Sequence, residues 1–204
     1  MVVTALLEAA ERDFAAYEHD GNIADLQKAQ DGFAVVLDMV GIDTDLRGAA
    51  CTGLGNVLWS RFELDGRSEH LDRAIACFDE ALTAFDGYDQ VLPAVQNDLA
   101  GALLARSRLP DASDEADDDL SRAIRTIRAA LAATRPYDLQ RHSRTNSLAD
   151  ALFRRYVRHR DSSDLTESIG LYERVVDSAR PTSDTYVIAC SNLAEALRSQ
   201  SLAA

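Results

Sequence analysis

Lysine is almost missing: Lys28 is the only one in 204 residues, so arginine carries nearly all the positive charge. We read this as a codon-usage bias, with arginine free to make bidentate contacts wherever it clusters. Glycine (10) and proline (4) are also scarce, while Ala, Leu, Arg, Asp and Glu dominate. That mixture favours helix, and the Val/Ile/Thr-rich runs that strands need are missing. Cysteine is limited to Cys51, Cys77 and Cys190, an odd number without CxxC spacing. Each sits in an apolar helical stretch, so buried free thiols in a reducing cytoplasm are expected rather than disulfides or a metal site. No apolar run approaches the roughly 18 residues of a membrane span. The start, MVVTALLEAAERD, lacks a basic leader and is not read as a signal peptide.

Catalytic signatures are absent as well. The sequence holds no Walker loop, GxGxxG, GxSxG or HExxH. Its histidines, His19, His70, His142 and His159, fall near expected helix ends with no i, i+4 pair. The chain therefore reads as no enzyme, with no cofactor and no metal. The acidic run Asp114, Glu115, Asp117, Asp118, Asp119 reads as a helix start, where negative charge complements the dipole.

What is present is a repeat. Hydrophobic residues make up 47%, enough for a sizeable core. The pentad Leu54-Gly55-Asn56-Val57-Leu58 returns at Leu99–Leu103, Leu148–Leu152 and Leu193–Leu197, at spacings of 45, 49 and 45 residues. A second pattern keeps the register: Leu26, Ala29, Phe33, Val36; then Leu71, Ala74, Phe78, Ala81; then Leu120, Ala123, Ile127, Ala130; then Leu165, Ser168, Tyr172, Val175. Steps of three and four place each set on one helical stripe. A small residue in the second place lets a neighbouring helix approach, and a large one in the third fills the space beside it.

Each unit thus holds two helices. First helices are expected near 2–19, 44–64, 89–108, 137–159 and 183–200, and second helices near 23–40, 68–85, 115–134 and 163–179. The units run about 2–40, 44–85, 89–134 and 137–179, with 183–200 as a terminal helix, all in one solenoid spanning 1–204. Gly21 and Gly66 suit left-handed caps. Ser68, Ser113 and Ser163 are expected N-caps, and Gly41, Gly87, Pro136 and Pro181 close the second helices. The 49-residue spacing reflects about four extra residues in Pro110–Glu115, read as a solvated insertion.

Leu54, Gly55, Leu58, Ala74, Phe78 and Ala81 match the tetratricopeptide repeat in order and local spacing. The chain resembles that family over almost its whole length, although alanines replace the glycine in later units and the family's usual tryptophan is missing. The period exceeds the family's ordinary one, and this long variant looks like the arrays attached to bacterial CHAT-type caspase-like proteases and signalling proteins. The resemblance implies an all-α, right-handed solenoid of antiparallel helical hairpins with about nine helices. It also implies a scaffold that binds a peptide or protein on its concave face, in a signalling or conflict-system assembly.

In that family the first helices line the concave face. Thr52, Asn97, Asn146 and Ser191 lie two residues before the anchor leucines, and Asn56, Gly101, Asp150 and Glu195 two after. One turn on come Ser60, Ala105, Arg154 and Ser199. Asparagine offers donor and acceptor together, which suits an extended backbone. The candidate partner-binding residues are Thr52, Asn56, Asn97, Asn146, Asp150 and Arg154. The family's Asn-Lys carboxylate clamp is unsupported with Lys28 alone, unless Arg154 substitutes. A solvated polar stripe accounts for the same residues, and a small-ligand regulatory domain is the alternative function.

A basic patch gathers Arg141, His142, Arg144, Arg154, Arg155, Arg158, His159 and Arg160, read as a solvated helix end or an anion site. The formal charge of −13 repels nucleic acid and anionic membrane, and neither is expected as a partner. Trp59, Phe62, Phe153, Tyr156 and Tyr17 read as packing within the hairpins. Helix 2–19 carries Val2, Val3, Leu6, Leu7 and Phe14, which leaves a homodimer through a solenoid end open. The polar residues Glu195, Arg198, Ser199 and Gln200 suit a closing helix, while excision from a longer array accounts for the same end.

Overall fold

A computed structural model describes residues 2–39, 41–85, 90–109 and 115–203, all helix and connecting turn. Gly87, Ser113 and most of the 110–115 insertion lie outside the described residues. The chain divides into two compact units, Met1–Leu109 and Pro110–Ala204. The first holds α1 (Val2–Asp20), α2 (Ile23–Leu37), α3 (Thr44–Asp65), α4 (Ser68–Ala84) and α5 (Leu92–Arg106). The second holds α6 (Glu115–Ala133), α7 (Gln140–His159), α8 (Ser162–Ser178) and α9 (Asp184–Ala203). The all-α helical-repeat reading holds in each.

In the first unit, α1 pairs with α2 and α3 with α4, while α1 lies beside α3 and α3 beside α5. First helices thus form one layer and second helices the other. In the second unit α7 pairs with α8, and α7 lies beside α9. Every member of the four second-helix stripes is buried, including the largest residue of each, Phe33, Phe78, Ile127 and Tyr172. Burying one such side chain contributes about 1.5–3 kcal/mol.

Close approach rests on missing side chains. A Cβ on Gly53 would stand 2.3 Å from the Phe33 ring, and one on Gly55 would stand 2.6 Å from Phe78. Gly48 similarly accommodates Phe85, at 2.7 Å.

The turns follow one rule. Gly21, Gly66 and Arg160 all take positive φ, at 68°, 71° and 59°. Their amides donate to Tyr17, Phe62 and Tyr156 carbonyls at 2.7, 2.8 and 2.7 Å. Arg160 is the one non-glycine with positive φ among the described residues, and its guanidinium lies 5.5 Å from the Tyr156 ring centroid. Gly41 is also left-handed, at 73°.

The N-caps differ from expectation. Asn22, Asp43 and Asp161 cap α2, α3 and α8, each accepting from the amide two residues on. Ser68 and Ser163 lie inside their helices, because Arg67 and Asp161 occupy the extended cap positions. α5 starts later than expected, at Leu92, with Pro93 in its first turn. α7 starts at Gln140, whose amide donates to Asp138 Oδ1 at 2.8 Å.

α9 packs on α8 and α7, with no following helix against its other face among the described residues, and its burial shows this. Leu197 is 41% exposed, whereas Leu58 and Leu152, at the same repeat position, are fully buried. Val187 and Ile188 are exposed as well, so the polar face expected there is interrupted.

Gly53→Val should lower unfolding stability by about 2 kcal/mol, since Phe33 is enclosed and cannot yield. Chemical denaturation checks this, and wild-type stability would contradict it. A second outcome concerns acid. The Ser163 amide, foremost, holds the Asp161 carboxyl below its usual range. Its stabilisation is therefore present above the unfolded value and lost as pH falls through the folded one. Asp161→Ala should lower Tm at neutral pH, and the gap to wild type should close in strong acid.

Candidate functional site

The first unit carries a groove between two first helices. Its volume is about 310 Å³. α1 contributes Glu11, Phe14, Ala15 and Glu18; α3 contributes Ala49, Thr52, Gly53 and Asn56. The buried Phe33 ring forms the floor, and Phe85 and Val91 stand at one end. These α1 and α3 residues recur at three and four, so each helix offers one face. Thr52 donates its hydroxyl to the Gly48 carbonyl at 2.9 Å, leaving its oxygen to accept. Glu11 and Glu18 are exposed and make no ion pair among the described residues.

Of the sequence candidates, Thr52 and Asn56 meet in this groove. Asn97 lies on α5, half-buried. In the second unit Asn146, Asp150 and Arg154 recur along α7, but Arg154 is committed to Asp150 at 2.8 Å. The side-chain oxygens of Asn97 and Asn146, at equivalent repeat positions, are both buried without a hydrogen bond. Such an acceptor costs about 1–3 kcal/mol when left unmade. The Tyr172 hydroxyl is buried as well and makes no hydrogen bond of standard geometry, although Asn192 stands beside it. Burial, ahead of the Asp150 charge, pushes this phenol above its ordinary ionisation range.

The basic patch of the second unit is largely spent internally. Arg155 grips Asp164 with two bonds, at 2.7 and 2.6 Å, and that pairing foremost raises its ionisation. Arg158 and His159 share Asp117, at 2.6 and 3.1 Å. Arg144 is buried, donating to Thr134 Oγ1 at 2.8 Å, and Arg141 donates to the Thr134 carbonyl at 2.9 Å. Arg141 and His142 border a cavity of about 470 Å³ with Arg128, Glu167 and Arg174. There Arg128 is already engaged by both Glu167 oxygens, at 2.9 and 2.8 Å.

In the first unit, Arg61 reaches Gln27 and Gln30 on α2, and Arg106, one period later, reaches Asp72 on α4 at 2.8 Å. The sequence reading missed these arginines, and it missed Glu11, Phe14 and Glu18. The 45-residue register held the signal: Glu11 is to α1 what Asn56 is to α3, and Phe14 is what Trp59 is.

Cysteine chemistry is muted. Cys51 is buried, while Cys77 and Cys190 are half-buried rather than fully enclosed as expected. Burial, with Glu80 adding, pushes the Cys51 thiol up to about 12, and burial pushes Cys77 up to about 11. Among the described residues, no cluster of three or more His, Cys, Asp or Glu is placed to hold a metal. No described helix is long and apolar enough to cross a membrane.

Among solved structures, the chain resembles a putative kinesin light chain of Podosopora anserina with nearly identical TPR-like repeats. A point-substituted form of it matches at 16% identity and a TM-score of 0.65, covering 98% of this chain and 87% of the other. A second structure of those repeats matches at 17% and 0.62 over the same shares. BtubC (BKLC) from P. vanneervenii matches at 13% and 0.56, covering 98% and 83%. No family model matches the chain, and no curated protein matches it in sequence. The likeness establishes a TPR-like helical-repeat fold.

All three thiols should titrate with a chromogenic disulfide in denaturant. In the folded protein near pH 8, about half a unit below the free-thiol value, Cys51 should stay unreacted. Rapid native reaction at Cys51 would contradict its enclosure.

Proposed function

We propose that this chain is a protein-interaction scaffold that holds a peptide or protein segment against its first helices. The groove between α1 and α3 carries the reading: a concave, aromatic-floored site with Thr52 and Asn56 on one wall. A groove of this kind gives an extended backbone apolar contact along its length and hydrogen-bonding amides at its edge. Asn97 on α5 is a further candidate contact of the first unit, and Asn146, with the Asp150–Arg154 pair, is a candidate contact of the second unit taken by itself. A TPR-like scaffold is suited to such a task, because stacked hairpins present first-helix side chains in series. The long period supports membership of a signalling or conflict-system assembly of the CHAT-associated kind, in a bacterial cytoplasm.

Affinity capture with mass spectrometry tests this. Wild-type protein should retain a specific polypeptide, and Asn56→Ala combined with Asn97→Ala and Asn146→Ala should weaken retention at least about tenfold, roughly 1.4 kcal/mol. The helical melting curve should change little. Stabilisation by metabolites without any retained polypeptide would replace this reading with a small-ligand one.

A further inference from the structure

The two units differ sharply in charge. Residues 1–109 hold 19 Asp and Glu against 8 Lys and Arg, a formal −11; residues 110–204 hold 15 against 13, a formal −2. The acidic excess of the protein therefore resides in the unit that carries the groove.

Within that unit, positive charge is placed away from the groove. Arg47 pairs with Glu80 at 2.5 Å, Arg106 with Asp72, and Lys28 with Asp25 at 2.6 Å. Arg61 is turned to α2. Arg12, on α1 itself, faces Glu8 at 4.0 Å. Among the described residues no arginine or lysine lines the groove, whereas Glu11 and Glu18 do, about two turns apart on one α1 face. Their carboxylates flank Phe14, whose ring lies in the same wall, with Phe33 below and Phe85 at the end. Carboxylates beside aromatic faces are what a guanidinium or ammonium requires. The acids supply charge-assisted acceptors, and the half-buried Phe14 ring supplies cation–π attraction. The aliphatic stem of such a side chain would rest on Ala15, Ala49 and Gly53. Gly53 cannot acquire a side chain without striking Phe33, so this part of the groove stays shallow and smooth.

We infer that the α1–α3 groove takes a cationic peptide segment, its arginine or lysine side chains seated between Glu11 and Glu18 and its backbone met by Asn56. This rests on the proposed scaffold function and specifies the chemistry of the partner. An anionic peptide is excluded from the groove by the same charges. The surrounding field of the unit speeds encounter with a basic partner and makes that encounter salt-dependent.

The full chain should be titrated, by fluorescence anisotropy, into a short labelled Gly-Ser peptide bearing arginines, and into its twin bearing glutamates. The arginine peptide should bind and the glutamate peptide should not. Glu11→Gln with Glu18→Gln should weaken binding about tenfold, as expected for two partly exposed ion pairs near 0.7 kcal/mol each. Asp31→Asn with Glu69→Gln removes the same charge from exposed positions on α2 and α4, outside the groove, and should change affinity by less than about twofold. Equal binding of the two peptides would overturn the inference, as would equal loss in the two double variants. If capture from extract still depends on Asn56 while the arginine peptide is ignored, the cationic assignment fails and the scaffold reading stands.

Discussion

The seating of one large side chain per hairpin between small residues of the neighbouring helices sets the geometry on which the rest of this structure depends. Phe33 lies beneath Gly53 of the following first helix, and Phe78 lies against Gly55 of its own hairpin. On the other side of α2, Gly32 meets Ala10 of α1, where a Cβ would stand 2.8 Å away. With side chains reduced to hydrogen or methyl at these points, the helix axes close up and the aromatic ring fills what remains. The close approach brings α1 beside α3 and α3 beside α5, so first helices form a layer of their own. A groove between first helices is then a by-product of core packing, and its floor is the same Phe33 that holds the core.

Electrostatics follows from how arginine is used. In the second unit, guanidinium groups act as internal connectors: Arg155 to Asp164 across the α7–α8 turn, Arg158 to Asp117 on α6, Arg141 and Arg144 to the end of α6. The planar fork of arginine suits this work, since it meets both oxygens of a carboxylate or two neighbouring acceptors at once. A patch that looks basic in one dimension is thereby largely engaged within the fold in three. In the first unit there are fewer cations; Arg47, Arg61 and Arg106 are turned to α2 and α4 and Arg12 to Glu8, which leaves Glu11 and Glu18 on α1 without an ion pair among the described residues. Two units of one fold thus present different charge.

The buried stripes were legible because they are set by periodicity, which the chain displays directly: Leu71, Ala74, Phe78 and Ala81 occupy one helical face in any helix that contains them. The left-handed caps at Gly21 and Gly66 were legible for the same local reason. Arg160 was not, because its conformation is imposed by the turn register and offset by its contact with Tyr156, neither of which shows in its residue type. The N-caps failed by two residues at α8, where Asp161 and Ser163 are both competent and only the backbone decides between them. The candidate site was half legible. Thr52 and Asn56 came from the register, whereas Glu11 and Glu18 stand on a helix whose repeat pattern is degenerate, with Leu7 and Ala10 its only buried residues. The fate of the arginines was not legible at all, since partners such as Arg158 and Asp117 are 41 residues apart.

Why the groove opens between α1 and α3 can be argued from one substitution between repeats. The comparable cleft between α3 and α5 is occupied from within: the Trp59 indole lies over Gly101, so close that a Cβ there would stand 2.9 Å from the ring. One period earlier, Phe14 holds the position of Trp59 and Asn56 that of Gly101. The smaller ring no longer reaches across, and the asparagine offers no bare backbone for it to cover. The cleft therefore stays open and gains a polar wall. The same exchange, a large aromatic over glycine against a smaller one beside asparagine, decides whether first helices seal against each other or leave room for a guest. A repeat fold in this way fixes where a groove can form, and single residues at equivalent positions determine which of them does.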